Sequence, residues 1–268
     1  MKEQQKQTQR LTALVEAFKA DSEEYRDLRT PPDPEGKRRL LRSLMNVRPP
    51  REAEASLLAL QDEYLRQRAE EKGVVTLEEI PVTEGSISIW QGDITRLAVD
   101  AIVNAANAQM LGCFVPMHSC IDNCIHSFAG IQLRAECSRQ MKRLRRQYGE
   151  DYQQPTAVPM LTEGYNLPAK KVIHVVGPIV TGSLTPALEE ALADCYANTL
   201  NLCGEAGLRS VAFCCISTGV FRFPPERAAR IAVTTVKQWL AGHRDAVDRV
   251  IVNVFTDKDR DYYEQLFQ

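Results

Sequence analysis

Residues 98–107 read AVDAIVNAAN, an apolar, strand-like run that ends in two asparagines separated by two alanines. Similar short β-rich runs follow or precede it at 86–91 (SISIWQ), 156–162 (TAVPMLT), 170–177 (KKVIHVVG), 210–217 (SVAFCCIS) and 249–255 (RVIVNVF). Helical patterns alternate with them at 121–147, 186–205, 225–241 and the end of the chain. Alternation of this kind predicts an α/β domain whose sheet is covered on both faces.

The first quarter of the chain has a different texture. Residues 9–28 place apolar side chains on one face of a helix, the segment TPPDPEGK (30–37) interrupts it, and helical patterns resume at 38–47 and 52–71. We therefore expect a helical N-terminal extension over 1–72 and an α/β domain over 73–268. The extension looks too small to hold a core alone, so it should pack against the rest of the chain or a partner.

Composition limits the possible partners and compartment. A net charge of −2 over 268 residues gives no global attraction for nucleic acid or anionic membranes. No apolar run approaches the roughly 20 residues that cross a bilayer. The polar start MKEQQKQTQR is not a secretory signal, so we expect a cytoplasmic protein whose eight cysteines stay reduced.

Three strand-to-helix junctions carry polar or small residues, and ligands of such sheets gather at these junctions. The first is Asp93-Ile94, where an acidic side chain and free backbone amides could bind a purine edge or a ribose. The simpler alternative is that Asp93 caps a helix. The second is the pair Asn104 and Asn107, whose side-chain amides could bind a polyhydroxyl ligand. The alternative is that they are ordinary turn residues. The third is the loop Ser217-Thr218-Gly219-Val220-Phe221, whose backbone N–H groups could hold an anion.

Three cysteines and two histidines lie within residues 110–126, MLGCFVPMHSCIDNCIH. Cys113, His118 and Cys120 have the spacing C-x4-H-x-C, and three such ligands with one open position suit catalytic zinc. A structural site would need a fourth ligand, which Cys124 or His126 could supply, although both fit better as core residues of the following helix. The absence of C-x-x-C argues against a redox site.

The segments GDIT, VNAAN, DNCIHSFAG, VIHVVGP and ISTGVF, in this order, closely resemble the macrodomain family over residues 74–268. The resemblance implies a three-layer α/β/α sandwich with a mixed central sheet and a cleft for ADP-ribose. Asp93 and Ile94 would contact the adenine, Asn107 with Asn104 the distal ribose, and Ser217–Phe221 the diphosphate. Asp122 matches the acidic residue with which hydrolytic members orient or activate water, so Asp122 and Asn107 are the expected catalytic residues.

Many macrodomains have a glycine run where this chain has Gly112–Cys120. That departure, and the segment LLRSLMNVRPP (40–50), resemble a narrower branch of microbial macrodomains that contain zinc. The resemblance implies one Zn²⁺ per chain on Cys113, His118 and Cys120, and removal of mono-ADP-ribose from modified proteins. It also implies partnership with a sirtuin-type ADP-ribosyltransferase and a lipoylated carrier protein.

The sequence thus favours a zinc-dependent hydrolase that cleaves at ribose C1″. The alternative is a non-catalytic ADP-ribose reader with a structural zinc. A nucleic-acid-binding domain with a zinc knuckle is disfavoured by the acidic pI and by the lack of a surface pattern that combines basic and aromatic residues. The basic run at 142–146 suits a solvated helix end.

Overall fold

The computed structural model describes residues 2–268, and the first residue of the expected extension, position 1, lies outside them. The described residues form eight α-helices, two short 3₁₀ helices (Leu77–Glu79 and Ile94–Arg96) and eight strands. The helices are α1 (Lys2–Ala20), α2 (Pro34–Val47), α3 (Ala55–Lys72), α4 (Ile121–Ala129), α5 (Ile131–Tyr148), α6 (Pro186–Glu205), α7 (Pro225–Gly242) and α8 (Asp257–Glu264). The strands are β1 (Val75–Thr76), β2 (Ile87–Gln91), β3 (Leu97–Ala98), β4 (Ala101–Ala106), β5 (Met160–Glu163), β6 (Lys171–Val176), β7 (Ser210–Phe213) and β8 (Arg249–Val254).

Six strands form the central sheet in the order β2-β8-β7-β4-β6-β5. Its strand pairs are parallel except for β5, which runs antiparallel to β6. Central strands such as β4 and β8 are nearly continuous apolar runs, as expected for strands buried on both faces. The predicted mixed sheet is therefore confirmed, and β1 and β3 pair separately as a short two-stranded sheet.

The register of the sheet explains the layers. Asn104 of β4 pairs with His174 of β6, so both side chains point to the same face. Asn104 contacts α4 through Asp122, and His174 lies near Cys137 of α5. Helices α4 and α5 thus cover this face and α6 to α8 the other, which gives the expected three-layer α/β/α sandwich.

The N-terminal helices pack around a second apolar cluster. Leu14, Leu44 and Leu65 are buried there, together with Ile131 from the start of α5. The helix predicted over 9–28 ends earlier, at Ala20. Asp21 turns instead toward the end of α2, where its carboxylate accepts hydrogen bonds from Arg48 at 2.7 Å and Arg51 at 2.6 Å.

The helix predicted over 121–147 is two helices, α4 and α5, separated at Gly130. This glycine has φ +99°, a conformation that side chains with a Cβ rarely adopt. Gln61 of α3 fills the break, where its Oε1 accepts a hydrogen bond from the Ile131 N–H at 3.0 Å. A Cβ on residue 130 would lie 2.6 Å from Gln61 Nε2, so only glycine fits.

Two further properties bear on the sequence expectations. The eight cysteines are free thiols in the structure. Among the described helices, none combines the length and the hydropathy that a membrane crossing would require.

Candidate active site

The loop that joins β4 to α4 brings the three predicted metal ligands together. Cys113 Sγ lies 3.6 Å from His118 Nδ1. The ligand atoms of Cys113, His118 and Cys120 all lie within 4.8 Å of one another. Gly112, at φ +78°, allows this bend, since a Cβ there would lie 2.8 Å from the ring of His126. The conformation of the loop therefore requires that the backbone at Gly112 lies directly against His126 of α4.

The chemistry of this triplet fits a zinc ion. Zinc takes thiolate and imidazole ligands, and the thiols must lose their protons to bind it. Burial raises the pKa of Cys120 to about 12, and the neighbouring Cys113 adds to the effect. Two adjacent thiolates thus need a compensating cation, which Zn²⁺ would provide.

Cys124 does not join the triplet. Its Sγ accepts a hydrogen bond from Arg42 Nη2 at 3.5 Å and faces α2. His126 belongs instead to a second cluster of side chains that could hold a metal ion, together with Cys137 and His174. All three residues of this cluster are buried. Neither of the suggested fourth ligands is therefore grouped with Cys113, His118 and Cys120.

Asp122 lies in the first turn of α4, directly after the loop, and its side chain is buried. Asn104 Nδ2 donates to its Oδ1 at 2.8 Å, and Asn107 Nδ2 lies 3.5 Å from its Oδ2. Burial raises the pKa of Asp122 to about 6, although the Asn104 hydrogen bond and the charge of Arg134 oppose the rise. A carboxyl group with this pKa can both hold and release a proton near neutral pH.

Asn107 holds the start of the loop that joins β4 to α4. Its Oδ1 accepts a hydrogen bond from the Gln109 N–H at 3.0 Å, and its Nδ2 donates to the Gly112 carbonyl at 3.3 Å. The turn role suggested by the sequence is therefore present. The same amide also lies beside Asp122, a position from which it could bind a ribose hydroxyl.

Sequence reasoning assigned no role to His174, although it lies in the quoted segment VIHVVGP. Asn104 Nδ2 lies 3.0 Å from His174 Nδ1, and Thr162 Oγ1 lies 3.0 Å from His174 Nε2. Since Asn104 must donate, Nδ1 accepts and Nε2 carries the proton. Burial lowers the pKa of His174 to about 3. The imidazole is therefore neutral and holds the Asn104 amide by accepting its hydrogen bond.

Arg134 of α5 is a second residue that sequence reasoning missed. Its guanidinium donates to the carbonyls of Leu111 at 2.7 Å and Cys113 at 3.3 Å in the loop between β4 and α4. It also donates to the carbonyls of Asn46 at 2.7 Å and Arg48 at 2.6 Å at the end of α2. One buried arginine thus joins the loop to the N-terminal extension.

The loop Ser217–Phe221 follows β7 and lies against the end of β6. Ser217 is buried, has φ +65°, and its Oγ lacks a hydrogen-bond partner among the described residues. A Cβ on Gly177 would lie 2.1 Å from that Oγ, so the two segments are in close contact.

The same loop leaves amides free for a ligand. Within residues 2–268 the N–H groups of Gly219, Val220 and Phe221 donate to no protein acceptor. Thr218 Oγ1 donates to the Cys215 carbonyl at 3.0 Å, and the side chain of Val220 is exposed. An unpaired run of backbone donors can bind a diphosphate.

Asp93 and Ile94 follow β2. Asp93 Oδ1 accepts from the Thr95 N–H at 3.0 Å, so the residue is a helix cap, as the simpler alternative suggested. Its Oδ2 also accepts from Lys72 Nζ at 2.6 Å. Burial opposes ionisation, but the hydrogen bonds from Lys72 and Thr95 outweigh it and hold the pKa of Asp93 below its ordinary value. The Ile94 side chain is in the core.

These groups lie at the carboxyl ends of β2, β4, β6 and β7, which are mutually parallel and therefore end at one edge of the sheet. A three-layer α/β/α sandwich with a loop of free backbone amides, paired side-chain amides and a buried carboxylate at this edge is typical of a nucleotide-binding domain.

Comparison with known proteins specifies the class. The family model described as Macro domain matches residues 103–232. A Treponema medium protein named protein-ADP-ribose hydrolase is 45% identical over 97% of this chain and 98% of its own length. A Staphylococcus aureus (strain MRSA252) protein of the same name is 43% identical over 85% of this chain and 84% of its own. The Trypanosoma brucei macrodomain, solved in complex with ADP-ribose, superposes with a TM-score of 0.64, at 29% identity, over 81% of this chain and 92% of that one. The chain belongs to the macrodomain family.

Proposed function

We propose that this chain is a protein-ADP-ribose hydrolase that removes mono-ADP-ribose by cleaving the bond between ribose C1″ and a protein side chain. One observation carries the proposal. The buried carboxyl group of Asp122 contacts Asn104 and Asn107 and directly follows the loop with the Cys113, His118 and Cys120 triplet. The similarity to proteins named protein-ADP-ribose hydrolase supports the same activity.

Each part of the ligand has a proposed partner. Asp93 and the backbone of Ile94 would contact the adenine, and the free amides of Ser217–Phe221 would bind the diphosphate. Asn107, with Asn104 behind it, would hold the distal ribose. These contacts position C1″ beside Asp122 and so lower the entropic cost of reaching the transition state.

Asp122 is the proposed acid–base group. Its Oδ1 is fixed by Asn104, which leaves Oδ2 on the side of Asn107 to orient a water or accept its proton. Asn104 is fixed in turn by neutral His174. The carboxyl group is thereby held in one orientation before substrate binds.

Cys113, His118 and Cys120 would hold one Zn²⁺. When bound, zinc would supply Lewis acidity next to the distal ribose, although two thiolate ligands reduce that acidity. The protein's own contribution is to place the triplet and Asp122 on one continuous loop and helix.

The finer biological setting also remains our proposal. By resemblance, the substrate is a lipoylated carrier protein modified by a sirtuin-type ADP-ribosyltransferase, in the cytoplasm. We also propose that residues 1–72 form the helical extension and 73–268 the macrodomain.

The test is release of free ADP-ribose from a mono-ADP-ribosylated protein, followed by chromatography. Wild type should release it, whereas Asp122→Asn and Cys113→Ala should not, although both should still bind ADP-ribose. Binding without release by wild-type, zinc-loaded protein would instead establish a reader.

A further inference from the structure

An open groove of about 220 Å³ lies between α2, α3 and α4, outside the site described above. Its floor is mainly apolar, with Leu41, Met45, Leu65 and Phe128 among the lining residues. Its charged lining consists of four arginines and one glutamate: Arg38, Arg39, Arg42, Arg68 and Glu35. A basic rim over an apolar floor thus stands on a chain whose net charge is −2.

The arginines differ in how much of their charge is already neutralised. Arg68 pairs with Glu71. Arg38 and Arg39 are exposed, and neither forms an ion pair in the part of the chain that the structure describes. Positive charge is therefore concentrated on α2.

The groove adjoins the loop that carries Cys113, His118 and Cys120. Arg42 Nη2 donates to the His118 carbonyl at 2.8 Å and to Asn123 Oδ1 at 2.7 Å. Met117, the residue before His118, lines the groove itself. A polypeptide attached to ribose C1″ beside Asp122 would therefore leave the site next to this basic rim.

The geometry points to a docking site for an acidic, amphipathic segment of the modified protein. This inference rests on the proposed function and adds its substrate preference. Apolar side chains of the segment would lie on the floor, as in helix-in-groove recognition. Its carboxylates would pair with Arg38 and Arg39, since guanidinium groups bind carboxylates with two parallel hydrogen bonds.

Two mono-ADP-ribosylated peptides would test the inference, one with an acidic amphipathic sequence beside the modified residue and one with each flanking Glu replaced by Gln. For wild type, kcat/KM should be about 10-fold or more higher on the acidic peptide, and this preference should fall as salt rises. The Arg38→Glu/Arg39→Glu variant should lose the preference but keep its rate on the neutral peptide and its affinity for ADP-ribose.

Arg143→Glu/Arg146→Glu, at the exposed end of α5, changes the net charge equally and should keep the preference. Equal rates on both peptides, or the same loss in this control, would overturn the inference. Arg38→Gln/Arg39→Gln should give a smaller loss and covers the case in which charge reversal prevents folding.

A binding measurement separates failure of docking from failure of the enzyme. A fluorescein-labelled, unmodified acidic peptide should bind wild type and not Arg38→Glu/Arg39→Glu, as measured by anisotropy. If wild type hydrolyses neither peptide, the proposed function fails while the groove is still tested. Preferential binding of a mixed-sequence RNA through the same arginines would overturn the assignment to a protein segment.

Discussion

Asn104 Nδ2 donates a 2.8 Å hydrogen bond to Asp122 Oδ1, and the same amide nitrogen stands 3.0 Å from the imidazole of His174. Side chains on β4 and β6 therefore orient the proposed acid–base group, Asp122, without any ligand. One carboxylate oxygen is occupied by this contact, and the other remains on the side where Asn107 lies.

Asp122→Asn should preserve this shape and remove the proton-transfer group. We expect kcat for ADP-ribose release to fall by about 10²–10⁴-fold, with little change in the Kd for ADP-ribose by calorimetry. Asp151→Asn, at an exposed position, should have wild-type kinetics. Near-normal turnover by Asp122→Asn would exclude Asp122 as the acid–base group.

Removal of one triplet thiol should remove the metal. Wild type should hold about one zinc per chain and Cys113→Ala almost none, because two remaining ligands bind zinc weakly. Cys124→Ala is the matched control, since Cys124 is only eleven positions away in the chain but bonded to Arg42 rather than grouped with the triplet. Elemental analysis measures the zinc content of the three proteins, and activity assays run in parallel. Zinc loss from Cys124→Ala would show that the ligand set is wrong.

Gly177→Ala should displace the loop Ser217–Phe221, which we propose binds the diphosphate. The new Cβ would lie 2.1 Å from Ser217 Oγ and 2.7 Å from Ile216 Cγ2, so the loop must move. We expect the Kd for ADP-ribose to rise about 10-fold or more, which corresponds to about 1.4 kcal/mol. Gly182→Ala has open space around its Cβ and should bind as wild type does. Equal affinities for both variants would show that this loop does not hold the diphosphate.

The ion pair of Asp21 with Arg48 predicts a pH-dependent stability. Burial opposes ionisation of Asp21, but hydrogen bonds from Arg48 and Arg51 outweigh it and lower the pKa of Asp21 below its ordinary 3.8. A lowered pKa stabilises the fold above pH 3.8, and this contribution is lost as the pH falls through the folded-state value.

Asp21→Asn should therefore reduce the free energy of unfolding by roughly 1–3 kcal/mol at pH 7, because Arg48 is left buried without its partner. The difference from wild type should shrink as the pH falls from 3.8 through the lowered folded-state pKa of Asp21. Urea unfolding at pH 7 and along this acidic series measures it. Asp27→Asn, an exposed neighbour, should show no such trend, and a pH-independent effect of Asp21→Asn would contradict the ion-pair explanation.

Much of the fold was predictable because it follows from local patterns. The apolar runs that became β4, β6, β7 and β8 are long enough and β-branched enough to identify a buried sheet. The triplet Cys113, His118 and Cys120 was also predictable, since its members are close in sequence and the loop between them is short.

The rest depends on contacts between distant residues. The division of 121–147 into α4 and α5 depends on Gln61, which reaches Gly130 and Ile131 from α3, about 70 positions earlier. The pairing of Asp93 with Lys72 and the support of Asn104 by His174 have the same origin. A sequence pattern contains no record of which side chain arrives from another element, so these parts required the structure.

Arg134 has a thermodynamic consequence beyond positioning. Its single buried guanidinium satisfies carbonyls of the loop that carries Cys113 and carbonyls that end α2. Opening either segment would leave part of this guanidinium without acceptors, which is costly in the interior. Arg134 therefore couples the local unfolding of the loop to that of the end of α2.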